Sequence, residues 1–543
     1  MTDTLSPDLD APAGDVVPSK VFRSELNPVD FLRRAAYMYP DKVALVHGKR
    51  RYSYRELGDR SWRLANGLRL AGLEKGDRVA TLVPNSPAML EAHFGVPAAG
   101  GILVPINTRL GSAEVAYILE HSGARYLLLD MELQDVVAPL DVPGVTLILC
   151  ADTGAADDPY EEFLAAAQSA CPVSWLEDEE ETISINYTSG TTGRPKGVQT
   201  TYRGSYLNAL NEVIVAGLSA DSVYLWTLPM FHCNGWCFPW AVTAVAARHV
   251  TMRTVDPDEI WSAIDNEGVT SYCGAPTVQL MIINHDRAHP VERPVKAVVA
   301  AAPPSPTLLQ RMGDLNFDVV HVYGLTETYG PTTVCPEQDS WRQLPPHARA
   351  DLLSRQGQAY ISSDLIRVVD NEMSDVQQDG ETMGEVVMRG NIVMSGYFQD
   401  ETATSEAFRG GWFHSGDLSV WHPDGNIELR DRGKDIIKSG GEKISSIEVE
   451  QAIVAHPAVL ECAVIGVPHD FWGERPKAFV TLQDNKHATE QEIIDFCRDQ
   501  LAHYKCPDSV EFGPLPKTST GKVQKFLLRE REWSGRERRI GAA

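Results

Sequence analysis

The sequence predicts an α/β fold, and two observations carry the prediction. Short Val/Ile/Leu-rich runs alternate with segments of helical periodicity, and a period-two strand delivers a glycine-rich loop to what reads as a sheet edge. At 543 residues the chain is long enough for several domains and a large core. In order, Arg78 to Pro84 reads as a strand, Pro87 to Pro97 as a helix and Ile102 to Ile106 as the next strand. Further buried strands are expected at Tyr126 to Leu129, Val145 to Leu149, Val223 to Leu228, Val269 to Cys273, Val295 to Ala300 and Val319 to Tyr323. Their branched aliphatic content suits parallel sheets covered on both faces. Ile183, Ile185 and Tyr187 alternate with Thr182, Ser184 and Asn186, giving the strand that precedes the glycine loop. The acidic run Glu177 to Glu181 before it reads as a solvated connector.

Composition excludes several functions. A net charge of -25 repels phosphate backbones, so neither nucleic acid nor an anionic membrane surface is an expected partner. Any anionic ligand must bind through local cations and backbone dipoles. Nine scattered cysteines without a CxxC pair suggest reduced thiols. Cys233 and Cys237 lack the spacing of a zinc pair and read as small apolar fillers. The first residues are acidic, without a basic-then-apolar leader pattern. The apolar stretch Trp236 to Ala247 is shorter than the ~18 residues of a membrane span. The chain ends Gly541-Ala542-Ala543, unlike a peroxisomal tail, so a cytoplasmic location is expected.

The loop Tyr187-Thr188-Ser189-Gly190-Thr191-Thr192-Gly193-Arg194-Pro195-Lys196-Gly197 reads as a phosphate cradle. Its glycines let the backbone approach a polyanion, its hydroxyls add donors, and Lys196 adds a full charge. It lacks the Gly-Lys-Ser/Thr step of a Walker loop, and Pro195 stands where such a loop enters its helix. Tyr323-Gly324-Leu325-Thr326-Glu327 follows an apolar run. A carboxylate beside a phosphate loop repels the ligand unless a cation lies between, so Glu327 is a candidate Mg²⁺ ligand. Thr326 can donate to a phosphate oxygen, and Tyr323 offers a flat face to a base. Asp417 is a candidate acceptor for ribose hydroxyls, and Arg432 can bond a ribose or phosphate oxygen.

Five motifs in this order resemble the adenylate-forming superfamily, which includes acyl-CoA synthetases, peptide-synthetase adenylation domains and firefly luciferase. They are the loop 187–197, Tyr323 to Glu327, Trp412 to Asp417, Asp431 to Glu442 and Pro516 to Lys522, and the resemblance covers roughly residues 25 to 530. It implies a large layered α/β N-terminal region with a small mobile α+β C-terminal domain. The boundaries are a flexible segment 1–25, an AMP-binding domain 26–431, a hinge 432–434 centred on Lys434, and a lid 435–543. Beyond Lys434 the pattern gives helix Ile447 to Ala455, strands Cys462 to Val467 and Lys477 to Leu482, and helix Glu490 to Tyr504.

The resemblance also implies the chemistry: ATP and Mg²⁺ activate a carboxylic acid as an acyl-adenylate with loss of pyrophosphate, and CoA takes the acyl group, with no prosthetic group. It places Lys522 on the acyl carboxylate and bridging oxygen, with Thr188, Ser189, Gly190, Thr191, Thr192, Gly193 and Lys196 on the departing phosphates. It adds Ala301, Ala302 and Pro303 as the adenine wall, where many relatives carry a glycine pair, together with Tyr323, Gly324 and Thr326. Ser439, Gly440 and Gly441 are implied to lie near the incoming pantetheine. His232 stands where amino-acid-activating relatives carry an Asp, which argues against an amino-acid substrate. His232 resembles the aromatic gate of acyl-CoA ligases, with Trp236 and Cys237 in the acyl pocket. The segment Phe231 to Trp236 resembles medium-chain and methylmercaptopropionate-type ligases, favouring a short- to medium-chain or thioether acid. Alternatives are loading of a carrier protein and, from another class, a nucleotide-binding regulator without turnover. The sequence leaves the oligomeric state open, a homodimer being one option.

Overall fold

The computed structural model describes residues 23–534, apart from residues 141, 173, 175, 189–193, 301–303, 305, 441, 484 and 518–522. Two large sheets form the N-terminal region. The nine-stranded sheet runs Gln358–Ala359, Gly330–Val334, Phe317–Leu325, Val295–Val299, Ser271–Gly274, Val223–Trp226, Arg248–Thr251, Val43–His47, Arg50–Ser53. The seven-stranded sheet runs Gly396–Tyr397, Gly197–Thr201, Thr182–Tyr187, Ile102–Pro105, Arg78–Leu82, Ala124–Asp130, Thr146–Cys150.

Strand alternation explains the layering. Tyr224 and Trp226 enter one core while Val223 and Leu225 enter another on the opposite face. In the second sheet, Tyr126 and Leu128 join that first core while Leu127 and Leu129 pack on the outer face. The shared core also contains the helices Tyr54–Leu70, Pro87–Ala99 and Tyr202–Val215, so helices lie between the sheets as well as outside them. The predicted parallel pairing holds within both sheets, but an edge of each is antiparallel: Thr182–Tyr187 with Gly197–Thr201, and Phe317–Leu325 with Gly330–Val334. Both edges are the strands that carry the sequence motifs. A smaller, all-antiparallel sheet, Arg367–Val369, Met383–Met388, Phe413–Trp421 and Ile427–Arg432, leads to the C-terminal domain.

That domain is a five-stranded sheet with the helices Ser446–Val454 and Glu490–Arg498 over its own core. The second helix stops at Arg498, short of the predicted Tyr504, and His503–Lys505 forms a separate 3₁₀ turn. The acidic connector is also corrected. Glu179 is buried, accepts from Leu26 N at 2.9 Å and pairs with Arg203, so the run clamps the chain's start to the helix Tyr202–Val215.

A charge knot joins the two sheets. Asp152 accepts from His47 Nε2 at 3.0 Å, from Arg253 Nη1 at 2.8 Å and from Arg50, while Arg253 also spans Asp130. Burial alone would raise the Asp152 carboxyl, but hydrogen bonds and charge from His47, then Arg50 and Arg253, hold it well below its ordinary value. A depressed folded-state pKa stabilises the fold above the ordinary carboxylate value and loses that stabilisation as pH falls through the lowered one. Asp152→Ala is therefore expected to cost about 3–5 kcal/mol at neutral pH. Urea denaturation should show the deficit shrinking as pH drops below ~4.

Candidate active site

The phosphate loop hangs from the antiparallel edge of the seven-stranded sheet. Thr188 N donates to Lys196 O at 3.0 Å and closes the loop's base; residues 189–193, and with them Ser189, Gly190, Thr191, Thr192 and Gly193, lie outside the described residues. Gly197 is required by space, since a Cβ there would sit 2.8 Å from Ile185. Tyr117 OH donates to Pro195 O at 3.0 Å, steadying the exit. Lys196 Nζ lies 4.6 Å from the centre of the Tyr397 ring.

Tyr397 links that lysine to the second motif, because its hydroxyl donates to Glu327 Oε1 at 2.9 Å. Glu327 sits in a 3₁₀ turn, Thr326–Thr328, at the end of the strand Phe317–Leu325. Thr328 stabilises the turn: its hydroxyl accepts from Leu325 N at 2.9 Å and lies 2.8 Å from Gly330 O as donor. Gly324 passes so close to the Gly330 carbonyl that a Cβ would collide with it. Burial raises the Glu327 carboxyl above its ordinary value, and the Tyr397 hydroxyl offsets this only in part. An incompletely compensated carboxylate in a cleft beside a lysine suits a site that gains a cation with its ligand.

Asp417 stands inside the strand Phe413–Trp421, opposite Arg432. It is 4% exposed; Oδ2 accepts from Tyr323 OH at 2.7 Å, and Oδ1 lies 3.2 Å from Arg432 Nε. The three residues, taken from distant parts of the sequence, form one polar wall. Lys434 also lines the cleft, and burial followed by the nearby Arg432 charge lowers its pKa.

The segment after Phe231 makes an unusual turn. Cys233, Asn234, Gly235, Trp236 and Cys237 all have φ between 48° and 66°, a left-handed run that costs non-glycine residues energy. Asn234 holds it, donating from Nδ2 to Ser184 Oγ at 2.7 Å and to Asn186 Oδ1 at 3.1 Å within a buried amide–hydroxyl network. Gly235 faces the Trp226 ring at 2.6 Å from an ideal Cβ. Gly235→Ala combines that collision with a strained φ of 55° and is expected to lower stability by about 1–3 kcal/mol, read as a fall in Tm. His232 and Trp236 line the cleft, with the Trp236 ring against Gly330. Cys237 corrects an expectation: it is fully buried and meets Asn208 on the opposite side of the wall. Cys233 Sγ lies 3.4 Å from Thr326 Oγ1.

The C-terminal domain closes the cleft with Val523 to Phe526 and Arg529. Lys522 lies outside the described residues; on either side of residues 518–522, Lys517 and Val523 form a bridge and Gln524 N donates to Pro516 O at 2.8 Å. Behind it, Lys525 Nζ bonds Ser446 Oγ at 2.6 Å and Glu450 Oε1 at 2.7 Å, and Arg529 pairs with Asp435. Ser439 and Gly440 are not brought to the cleft in this arrangement. Gly440, at φ 61°, packs under Trp472 with 2.5 Å between an ideal Cβ and the ring. Gly441, Ala301, Ala302 and Pro303 lie outside the described residues.

Around a cleft of about 1920 Å³ the structure thus gathers Thr188, Lys196, His232, Trp236, Tyr323, Gly324, Thr326, Glu327, Asp417, Arg432 and Lys434. This exceeds a single drug-sized pocket, about 300–1,000 Å³, and leaves space for a nucleotide and a second substrate. Sequence reasoning missed Tyr397 and Asn234. Tyr397 follows Gly396 in a two-residue edge strand with no periodic signal, and Asn234 sat within a motif read only for its apolar neighbours.

Comparison with known proteins agrees with the geometry. The chain is 43% identical over 534 residues to the peroxisomal acetate/butyrate–CoA ligase of Arabidopsis thaliana, covering 93% of this chain and 94% of that one. It is 42% identical over 531 residues to 4-hydroxybutyrate–CoA ligase 2 of Metallosphaera sedula, covering 95% and 96%. Among solved structures, ATP-bound MatB of Rhodopseudomonas palustris superposes with a TM-score of 0.83 at 27% identity, covering 94% of this chain and 99% of that one. Residues 32–398 match the AMP-binding enzyme family and residues 448–522 its C-terminal domain, so the chain belongs to the AMP-binding enzyme family.

Proposed function

We propose that the protein is an AMP-forming acid–CoA ligase acting on a short-chain carboxylic acid. The observation that carries this reading is the convergence on one cleft of the Lys196–Tyr397–Glu327 group and the Tyr323–Asp417–Arg432 wall. The first suits departing phosphates and the second a ribose. In the adenylation step a substrate carboxylate oxygen attacks the α-phosphorus, the bond to pyrophosphate breaks, and acyl-AMP remains. The CoA sulfur then attacks the acyl carbon and AMP leaves, the thiol proton going to solvent. Both substrates of the first step are anions, so positioned positive charge matters more than an acid/base pair.

Mg²⁺ fits this donor set. Magnesium is commonly held by one or two carboxylates together with substrate phosphates, and Glu327 supplies a carboxylate whose charge is incompletely offset. Bound there, the ion would neutralise phosphate charge. Lys196 would bind the departing phosphates, Asp417 and Arg432 would orient the ribose, and His232 with Trp236 would exclude water from the acyl end. Lys522, which the family resemblance places on the acyl carboxylate, would meet it there.

Trp236 against Gly330 shortens the acyl end, which agrees with the acetate, butyrate and 4-hydroxybutyrate named in the two relatives. The test is pyrophosphate release with a panel of acids, with and without CoA, and identification of the thioester. Release of phosphate in place of pyrophosphate defeats the reading. Adenylate without CoA thioester moves it to carrier-protein loading. Lys522→Ala is expected to lower adenylation by about 10²–10³-fold while sparing thioester formation from preformed acyl-AMP. Equal loss in both half-reactions would contradict that assignment.

A further inference from the structure

Behind the Trp236 wall lies a second group of polar side chains that the reaction described above does not use. The helix Tyr202–Val215 presents Ser205, Asn208 and Glu212 along one face, at the spacing that aligns side chains on a helix. All three are fully buried. Tyr360 OH reaches Glu212 Oε1 at 3.3 Å, while Glu212 Oε2, both polar atoms of Asn208, Ser205 Oγ and the Tyr224 hydroxyl have no nitrogen or oxygen hydrogen-bond partner among the described residues. Tyr224 lies by the Cys273 thiol, and Cys237 lies by Asn208.

So many unpartnered buried polar atoms are costly unless something bonds them. Among the described residues no cation lies beside Glu212, and burial raises its carboxyl well above its ordinary value, which favours the neutral form that donates as well as accepts. A neutral acid, an amide and phenols together suit an uncharged hydroxyl-bearing ligand, water or alcohol.

The cluster and the cleft share a wall. Trp236 faces the cleft while the next residue, Cys237, faces Asn208. Gly330 and Pro331 face the cleft, while Tyr360 N bonds Thr332 O at 2.8 Å on the far side. Resting on the acid-ligase reading, we propose that Glu212, Asn208, Tyr224 and Tyr360 form a concealed polar subsite behind Trp236. It takes water or a terminal hydroxyl and rejects an alkyl chain that would otherwise extend past the wall. The length limit then has two layers, a steric one from Trp236 and a desolvation one from the polar atoms behind it. An alkyl terminus entering the subsite would displace the hydroxyl that bonds them and offer nothing in return.

The test opens the wall. In Trp236→Gly, kcat/KM for terminally hydroxylated hexanoate and octanoate should exceed that for the plain acids by at least about tenfold, and the added change Glu212→Leu should abolish or invert the preference. An equal or greater gain for the plain acids overturns the proposal. Wild-type turnover of acetate or butyrate is measured alongside, and its absence would defeat the ligase reading instead. A crystal structure of the wild type gives a readout independent of turnover and of the variants' folding. Ordered water bridging Glu212 Oε2, Asn208 and the Tyr224 hydroxyl is expected, whereas direct pairing of these atoms with one another would overturn the subsite.

Discussion

Glu327→Gln is expected to lower acid-dependent pyrophosphate release by about 10²–10³-fold without loss of fold. Glutamine has the same shape, and its amide oxygen can still accept from Tyr397 OH, a bond now 2.9 Å long. The tie from Met394 N to the Glu327 carbonyl, 2.7 Å, belongs to the backbone and is untouched. What disappears is the charge. Because burial raises the carboxyl, the protonated form is the one the fold favours; that contribution is full below the ordinary carboxylate value and is lost as pH rises through the raised one. At neutral pH the ionised group therefore burdens the folded state, and the neutral amide should leave Tm unchanged or slightly higher. A rate loss at constant Tm, with a higher Mg²⁺ requirement, is the expected pattern. A parallel fall in Tm and rate would make Glu327 a structural residue.

Lys525→Ala is expected to be the most destabilising single change in the C-terminal domain, at about 3–5 kcal/mol. Its ammonium is buried; burial would lower its pKa, but Glu450, Asp431 and Asp435 together raise it. Removing it leaves Glu450 without its 2.7 Å partner, next to Asp431, whose Oδ2 already accepts from Ser446 N at 2.6 Å. Arg529 remains on Asp435 and cannot cover all three carboxylates. Denaturant titration should show an early transition confined to the C-terminal domain, with proteolysis near Gly433. Adding Glu450→Gln should recover part of the loss, since it removes the stranded charge. An additive double mutant would show that the two residues do not form the unit described here.

Legibility in the sequence followed the range of the interactions. Strands such as Thr182–Tyr187 and Val295–Val299 were readable because alternation or a short aliphatic run is a local signal. Lys196, Glu327, Asp417 and Arg432 stand out in the sequence because a charge in an apolar or glycine-rich context is unusual, and the structure brings them to one cleft. The left-handed turn at residues 233–237 was not readable, because nothing local favours it: it is held by Ser184 and Asn186, about fifty residues earlier in the chain and in another strand. The same reason hid Tyr397, whose meaning depends on Lys196 and Glu327 arriving from both sides. Glu179 looked solvated for its acidic neighbours, and only the fold shows that Arg203 lies within reach.

The cross-strand pairing of Asp417 with Arg432 has a mechanical consequence. Gly433 follows Arg432 directly, and its N–H is tied to Gly416 O at 3.0 Å, one residue before Asp417. A rotation at Gly433 and Lys434 would thus have its axle mounted in the Asp417–Arg432 pair proposed to orient the ribose. The lever arm is almost nil at Asp417 and grows with distance from Gly433 into the C-terminal domain. If AMP is held there as proposed, a turn of the domain would displace it little, and the two half-reactions would exchange tools without letting go of the workpiece.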